Sequence, residues 1–256
     1  MTKIREGLEQ VRERIERACA RAGRSSSEVT LVAVSKTHPA EAVREAYAAG
    51  QRVFGENYVQ ELSEKSAALT DLEGLRWHFI GHLQRNKVKD VARVGALIGA
   101  ERSDGMPAPV EARSAGGGAG SPWRSGATIV IETVDSARLA TEIDKRAAAS
   151  KVPVLLQVNV AGEAQKSGCT PDELETLVRA VRALEHLELR GLMTVPPLGE
   201  APEASRPHFA RLRALAERNG LGELSMGMSA DLEVAIEEGA TLVRVGTAIF
   251  GARRSR

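Results

Sequence analysis

The lysine at position 36 is the residue of this sequence with the most evident chemistry. It ends the apolar, β-branched run of residues 31–35 and precedes a turn-like Thr37-His38-Pro39. This pattern indicates a buried strand with an amine at its carboxyl end, where parallel α/β folds place their chemistry. A neutral amine becomes available in a partly dry pocket, and it can form a Schiff base with an aldehyde. The alternative interpretation is a solvated loop lysine, which is the commoner outcome after a strand.

Two glycine-containing segments near the end of the chain predict an anion site. They are Gly227-Met228-Ser229 and Gly246-Thr247, and each follows a short apolar run. In an eight-stranded barrel they would form the loops after strands seven and eight, where glycines let backbone N–H groups approach a phosphate. Ser229 could instead be the N-cap of the next helix, and Gly246 could be a turn glycine. A hydroxyl at a helix start can serve both purposes.

Arg244 interrupts the apolar run 241–245, so its side chain lies either inside the barrel or beside an acid. One interpretation is a structural ion pair with Glu132 or Asp231, because a buried guanidinium needs a partner. The other is a donor to an acceptor atom of a bound ligand.

An alternation of strands and helices must position these residues. A helix over residues 4–22 precedes the first strand, and its apolar stripe is expected to dock on the outside of the main domain. Eight strands alternating with helices favour a single closed (β/α)8 barrel. An open doubly wound sheet is the alternative, but no glycine fingerprint opens a helix after the first strand. The predicted strands are residues 31–36, 52–55, 77–81, 128–133, 154–160, 187–193, 224–226 and 241–245.

Residues 99–126 break this rhythm. The segment is rich in Gly, Pro and Ser and has no apolar period, so we expect a long flexible loop before the fourth strand. A loop on that side of a barrel lies on the face opposite the ligand. We expect the whole chain, residues 1–256, to form one domain that carries this loop.

The composition argues against several classes of protein. A net charge of +1 with interspersed acids and bases gives no electrostatic footprint for nucleic acid. Cys19 and Cys169 fit neither a disulfide framework nor a metal-binding motif, so we expect no metal site. The charged start of the chain and the absence of a long apolar run predict no signal peptide, no membrane span and a cytoplasmic location.

Six motifs of the chain are long and specific, namely LVAVSKTHPAEAVREAYAAGQRVFGENYVQEL, WHFIGHLQRNK, QKSG, GLMTVPP, LSMGMSADLEVAI and VRVGTAIFGAR. In this order they resemble the pyridoxal phosphate homeostasis protein family, over almost the whole chain to Arg253 apart from residues 99–126. The resemblance implies a single (β/α)8 TIM barrel with an extra N-terminal helix, similar to the N-terminal domain of alanine racemase. This is fold type III of pyridoxal phosphate proteins without the C-terminal β-domain.

The resemblance also implies pyridoxal 5′-phosphate as the cofactor and assigns residues to its reactive side. Lys36 would form the internal aldimine with the cofactor aldehyde. Asn57 would lie near the ring or its 3-hydroxyl, and Met226 would line the pocket.

The resemblance assigns four further residues to the anionic and ring ends of the cofactor. Ser229, Gly246 and Thr247 would hold the phosphate, and Arg244 would face the pyridine nitrogen. Because arginine can only donate, the nitrogen would stay unprotonated and carbanion stabilisation would be weak. Related racemases also need a tyrosine from a separate β-domain, for which this sequence has no room, so we expect no catalytic residue.

Three other residues near the predicted strand ends have modest interpretations. His78 is expected to be a core histidine with a satisfied hydrogen bond, whereas His82 could border the pocket. For Lys166, a loop charge is favoured over a ligand contact.

Three functions fit these features. The favoured one is a protein that binds pyridoxal phosphate, takes part in intracellular vitamin B6 homeostasis and amino-acid and keto-acid balance, and passes the cofactor to pyridoxal-phosphate-dependent apo-enzymes. The alternatives are a weak racemase or decarboxylase that uses the same cofactor, and a lysine-dependent aldolase whose substrate phosphate occupies the anion loops. Without the racemase C-terminal domain the usual dimer contact is missing, so we expect a monomer.

Overall fold

The computed structural model describes residues 2–100, 129–147, 151–163, 165–197 and 201–252. Eight parallel strands form a closed barrel in chain order, which confirms the predicted fold. The strands are β1 Thr30–Val34, β2 Val53–Glu56, β3 Arg76–Phe79, β4 Ile129–Val134, β5 Val152–Gln157, β6 Leu187–Met193, β7 Glu223–Ser225 and β8 Leu242–Val245.

Helices follow the strands on the outside of the barrel. They are α1 Lys3–Arg21, α2 Ala40–Ala48, α3 Val59–Ala68, α4 Val88–Ala100, α5 Ala137–Arg146, α6 Leu174–Arg182, α7 Arg206–Arg218, α8 Leu232–Glu237 and α9 Thr247–Phe250. Short 3₁₀ turns at Ser26–Glu28, Arg85–Lys87 and Pro202–Ser205 complete the connections. None of the helices in these ranges is long and apolar enough to cross a membrane.

The apolar core has two layers, because successive residues of a strand face opposite sides of the sheet. In β1, Leu31 and Ala33 belong to the large cluster between strands and helices, whereas Val32 belongs to a smaller one inside the barrel. Val53, Leu155, Met193 and Leu242 are the other buried members of this inner cluster. The interior of the barrel is therefore packed with side chains and is not a channel, and barrels of this kind place their binding sites at the carboxyl ends of the strands.

Helix α1 docks on the outside of the barrel, as predicted. Its buried stripe includes Leu8, Val11 and Ile15, and it packs against α8 and α9. A Cβ on Gly7 would lie 2.6 Å from the carbonyl oxygen of Ala248, so the close approach of α1 to α9 needs a glycine. The helix thus supports the loop after β8 from behind.

The structure differs from the prediction at the end of helix α4 and at helix α9. Helix α4 continues to Ala100, whereas the sequence predicted a loop from residue 99. The rest of the predicted loop, through residue 126, lies outside the described residues. Helix α9 was not predicted, because four residues between Gly246 and Gly251 are too few to show a helical period.

Candidate functional site

Lys36 lies two residues beyond the end of β1 and is half-buried. The next residue, Thr37, has a φ of 65°, a left-handed backbone that is unfavourable for a β-branched side chain. Because β1 pairs with β2 and with β8, the loop that carries Lys36 lies between the loops that follow those two strands. This arrangement agrees with the predicted strand-end amine.

The loop of Lys36 rests on a buried ionic cluster that the sequence did not predict. Lys65 of α3 donates to the carbonyl of Ser35 at 2.8 Å and to Glu56 Oε1 at 2.6 Å. Its Nζ is also 3.2 Å from Oε2 of Glu61, and that oxygen accepts a hydrogen bond from the Thr37 amide at 2.7 Å. The available sequence signal was the spacing of Glu61 and Lys65, which is that of a helical i,i+4 pair.

Asn57 follows β2 beside this loop. Its Oδ1 is buried and accepts no hydrogen bond from the described residues. A Cβ on Gly81, which follows β3, would collide with the carbonyl oxygen of Asn57, so the two loops are in direct contact. A buried amide oxygen without a donor is unusual in a folded protein, and a ligand hydroxyl is one group that could supply the donor.

The loop after β7 has the glycine and the turn that the sequence predicted, but not the predicted N-cap. Gly227 has a φ of 90°, and a Cβ there would lie 2.5 Å from the Cβ of Ala235. Helix α8 begins with Asp231 as its N-cap, so the N-cap interpretation of Ser229 is wrong. The Asp231 carboxylate accepts hydrogen bonds from the Met228 amide and the Ser205 hydroxyl, which fixes the loop.

Gly246 and Thr247 form the start of α9, with Gly246 as the N-cap residue. The first N–H groups of a helix have no carbonyl partner within it. A Cβ on Gly246 would lie 3.1 Å from the carbonyl oxygen of Val34, the last residue of β1. The predicted anion loop after β8 therefore lies directly against the strand end that carries Lys36.

Arg244 points into the barrel. Its contacts there are relevant to both interpretations from the sequence, a structural pair with an acid and a donor to a ligand. Its guanidinium donates to the Ser225 hydroxyl at 2.6 Å and to the Thr194 carbonyl at 2.8 Å. The Ser225 hydroxyl in turn donates to Glu132 at 2.5 Å, so a serine links Arg244 to the predicted acidic partner. These two bonds use two of the five guanidinium N–H groups.

Burial and charge act against each other in this interior network. Burial lowers the pKa of Arg244, and the charge of Glu132 opposes that effect. Burial also acts to raise the pKa of Glu132, but the hydrogen bond and charge of His78, with Arg244 and Ser225, hold it below its ordinary value. The network therefore keeps a carboxylate and a guanidinium charged in the interior.

The remaining candidates are His78, His82 and Lys166. His78 is a buried core histidine whose Nδ1 contacts Glu132, as predicted. His82 is exposed and contacts the Ser167 hydroxyl. Lys166 pairs with Glu163 at 2.6 Å, as expected for a loop charge.

Met226 follows β7 and is fully buried in the large cluster that faces the helices. The alternation along the strand explains this orientation, because the preceding Ser225 points into the barrel. The predicted contact between Met226 and a cofactor stays a prediction.

Comparison with protein families first defines the class of this barrel. The model of the alanine racemase N-terminal domain matches residues 7–254. The solved alanine racemase of Clostridium difficile has the same fold, with a TM-score of 0.65 at 14% sequence identity, and the match covers 99% of this chain and 57% of that one. The likeness to the racemase concerns the fold alone.

Closer relatives then define the family. The pyridoxal phosphate homeostasis protein of Pseudomonas aeruginosa is 45% identical, over 99% of this chain and 97% of the relative. Its counterpart from Aquifex aeolicus is 42% identical, over 97% and 98%. PipY of Synechococcus elongatus, solved with pyridoxal phosphate bound, is 35% identical with a TM-score of 0.70, over 93% of this chain and 100% of PipY. This chain belongs to the pyridoxal phosphate homeostasis protein family.

Proposed function

We propose that this protein binds pyridoxal 5′-phosphate, with Lys36 as the residue that carries it covalently, and takes part in vitamin B6 homeostasis. The observation that carries the proposal is the contact between two loops. The predicted anion loop at Gly246 lies against Val34, two residues before the only amine predicted to be reactive. A ligand that combines an aldehyde with a phosphate matches this arrangement. The family name and the pyridoxal phosphate in PipY support it further.

The residues present fit the chemical groups of this cofactor. Lys36 would receive the aldehyde, and the loops of Ser229, Gly246 and Thr247 would hold the phosphate. The fit is supported by the unsatisfied, buried Oδ1 of Asn57, which could accept a hydrogen bond from the ring hydroxyl. When bound, the cofactor supplies an aldehyde carbon and a conjugated ring that acts as an electron sink.

Arg244 favours storage of the cofactor over catalysis. A guanidinium donates hydrogen bonds and accepts none, so it would bind the ring nitrogen in its unprotonated form. Enzymes that need a strong electron sink usually place a carboxylate at that nitrogen instead. The Ser225 and Thr194 bonds hold Arg244 in its position, so the chain would bind the ring without activating it. We therefore propose no catalytic residue.

The same proposal includes the cellular setting. We propose that the protein is a cytoplasmic monomer that passes pyridoxal phosphate to apo-enzymes that depend on it, and so affects amino-acid and keto-acid balance.

An absorption spectrum of the purified protein, loaded with pyridoxal phosphate, tests the central proposal. We expect a visible band that borohydride abolishes, followed by a pyridoxyl group on the Lys36 peptide in mass spectrometry. A colourless protein would favour the aldolase alternative. Exchange of an amino-acid α-proton in deuterated water at enzyme-like rates would favour the racemase or decarboxylase alternative.

A further inference from the structure

The backbone around Lys36 is held from both sides by side chains of α3. Before Lys36, the ammonium of Lys65 donates to the carbonyl of Ser35 at 2.8 Å. After Lys36, the carboxylate of Glu61 accepts a hydrogen bond from the amide of Thr37 at 2.7 Å. Lys65 and Glu61 are themselves 3.2 Å apart, one helical turn from each other. One ion pair therefore contacts the peptide groups on both sides of the proposed attachment residue.

Glu56 anchors this ion pair at the end of β2. The Glu56 side chain is fully buried, and its Oε1 accepts hydrogen bonds from Lys65 and from the Ser35 hydroxyl, both at 2.6 Å. Burial raises the pKa of Glu56, and the charge of Lys65 acts against that rise. A buried ammonium persists only when its charges and hydrogen bonds are met, as they are here by two carboxylates and a carbonyl.

Thr37 explains why such a support is needed. Its φ of 65° is unfavourable for a β-branched residue, and such a backbone persists only where the surroundings fix it. The hydrogen bond from its amide to Glu61 is the charge-assisted contact that does so. Without it we expect the loop to relax and the direction of Lys36 to change.

We propose that Lys65 and Glu61 are positioning residues for Lys36, which direct its amine by fixing the peptide groups on either side. The inference rests on the proposed attachment of pyridoxal phosphate at Lys36. A fixed loop leaves less conformational entropy to lose when the covalent link forms. The hydrogen bonds of this cluster go to the loop after β1 and to β2, so we expect affinity for the phosphate group itself to be preserved.

The test compares two ligands in variants of α3. Glu61→Ala removes the acceptor for the Thr37 amide, Glu61→Gln retains an acceptor oxygen, and Glu64→Ala makes the same change as the first on an exposed position of the helix. For Glu61→Ala we expect about tenfold weaker binding of pyridoxal phosphate, as for the loss of one hydrogen bond to a charged group. Binding of pyridoxamine phosphate, which lacks the aldehyde, should change less than about twofold. Glu61→Gln should restore most of the loss, and Glu64→Ala should resemble the natural chain.

Amide hydrogen exchange at Thr37, measured by NMR without any ligand, gives a second readout. We expect protection in the natural chain and in Glu64→Ala, and its loss in Glu61→Ala. Lys65→Met provides a further variant. If Lys65→Met fails to fold, the Glu61→Ala variant still decides the test.

The outcomes separate the two proposals. Equal losses of affinity for both phosphate ligands in Glu61→Ala would show general disruption of the site and overturn the positioning role. Unchanged exchange at Thr37 would overturn it as well. If the natural chain forms no covalent link at Lys36, the proposed function fails. Loss of Thr37 amide protection in Glu61→Ala would still show that α3 holds this loop in place.

Discussion

The guanidinium of Arg244 donates to the hydroxyl of Ser225 at 2.6 Å. The same hydroxyl donates to Glu132 of β4, which lies across the barrel from β8. A single small side chain thus accepts from a buried cation and donates to a buried anion. One hydroxyl group thus links the two opposite charges through hydrogen bonds.

Replacement of Ser225 by alanine should therefore destabilise the fold strongly. The variant removes the Ser225 donor from Glu132, which keeps His78, and the Ser225 acceptor from Arg244, which keeps the Thr194 carbonyl. Because both lost bonds are to buried charges, we expect a loss of roughly 3 kcal/mol in the free energy of unfolding. Urea unfolding measures this loss. Ser66→Ala is the control, because the buried Ser66 hydroxyl makes one neutral bond to the Ser63 carbonyl. That variant should lose only about 1 kcal/mol, and equal losses would contradict a special role for the charged network.

Two glycines on either side of β7 should respond oppositely to alanine. At Gly227 the φ of 90° is unfavourable for alanine, and the new Cβ would meet Ala235 at 2.5 Å. We expect Gly227→Ala to lose roughly 3 kcal/mol of stability and to bind pyridoxal phosphate more weakly, because the loop of Ser229 must shift. At Gly222 no atom lies within 4 Å of the added Cβ.

Gly222→Ala is thus the matched control, and it should leave stability unchanged or raise it by up to about 1 kcal/mol. Thermal unfolding and equilibrium dialysis measure both effects. Normal cofactor affinity in a folded Gly227→Ala variant would argue against an anion loop after β7.

Glu223 should make the stability of the protein depend on pH. Burial raises the pKa of Glu223 from 4.5 to about 7, an effect that the charge of Arg190 opposes and the charges of Glu132 and Glu188 reinforce. Between these two values the folded state retains a proton that the unfolded state has lost. Stability should therefore fall as the pH rises from 4.5 to about 7, by roughly 3 kcal/mol at most, and level off above.

Comparing the pH dependence of the free energy of unfolding in Glu223→Gln and in the natural chain isolates the contribution of Glu223. Urea unfolding at about pH 5 and about pH 8 should show a smaller fall for the glutamine variant, since it cannot ionise. Glu185→Gln, at an exposed position, should keep the full pH dependence. Parallel pH profiles for all three proteins would exclude the proposed effect of Glu223.

The two cysteines should be unreactive in the folded protein. Cys19 and Cys169 are buried, and burial raises the pKa of both thiols, that of Cys169 to about 12 with help from Glu173 and Asp135. Because the thiolate is the reactive form, we expect iodoacetamide at about pH 8 to label Cys169 roughly a thousandfold more slowly than an ordinary thiol. Labelling in urea is the control and should be complete. Rapid labelling of Cys169 in the native protein would show that this part of the barrel opens.

The barrel could be predicted because its signals are local. Eight apolar runs alternate with segments of helical spacing, and every predicted strand overlaps a strand of the structure. The order of the strands then brought Lys36 and Gly246 to one mouth without any knowledge of their contacts. Helix α9 was missed because four residues are too few to show a helical period. The N-cap role of Asp231 was missed because several polar residues of one turn can each serve as a cap.

The contacts of Glu61 and Lys65 with the Lys36 loop could not be predicted from the sequence, for a different reason. Glu61 and Lys65 have the spacing of an ordinary surface pair, and their burial depends on the loop after β1 folding over α3. That contact joins segments far apart in the chain, so no periodicity records it. The orientation of Met226, by contrast, follows from the alternation along β7 once the strand is known.

Replacement of Lys36 by alanine separates the covalent link from the phosphate loops. We expect Lys36→Ala to lose the visible band that borohydride abolishes and to keep measurable, weaker binding of pyridoxal phosphate, because Ser229, Gly246 and Thr247 remain. Absorption spectroscopy and equilibrium dialysis measure the two effects separately.

The exposed Lys89 of α4 offers the matched control, and Lys89→Ala should retain both the band and the affinity. A competition with inorganic phosphate sharpens the result, since phosphate should displace the cofactor more readily from Lys36→Ala than from the natural chain when the covalent link no longer retains it. If Lys36→Ala bound no pyridoxal phosphate at all while remaining folded, the loops after β7 and β8 would contribute too little to be the anion site, and the phosphate would have to be held elsewhere.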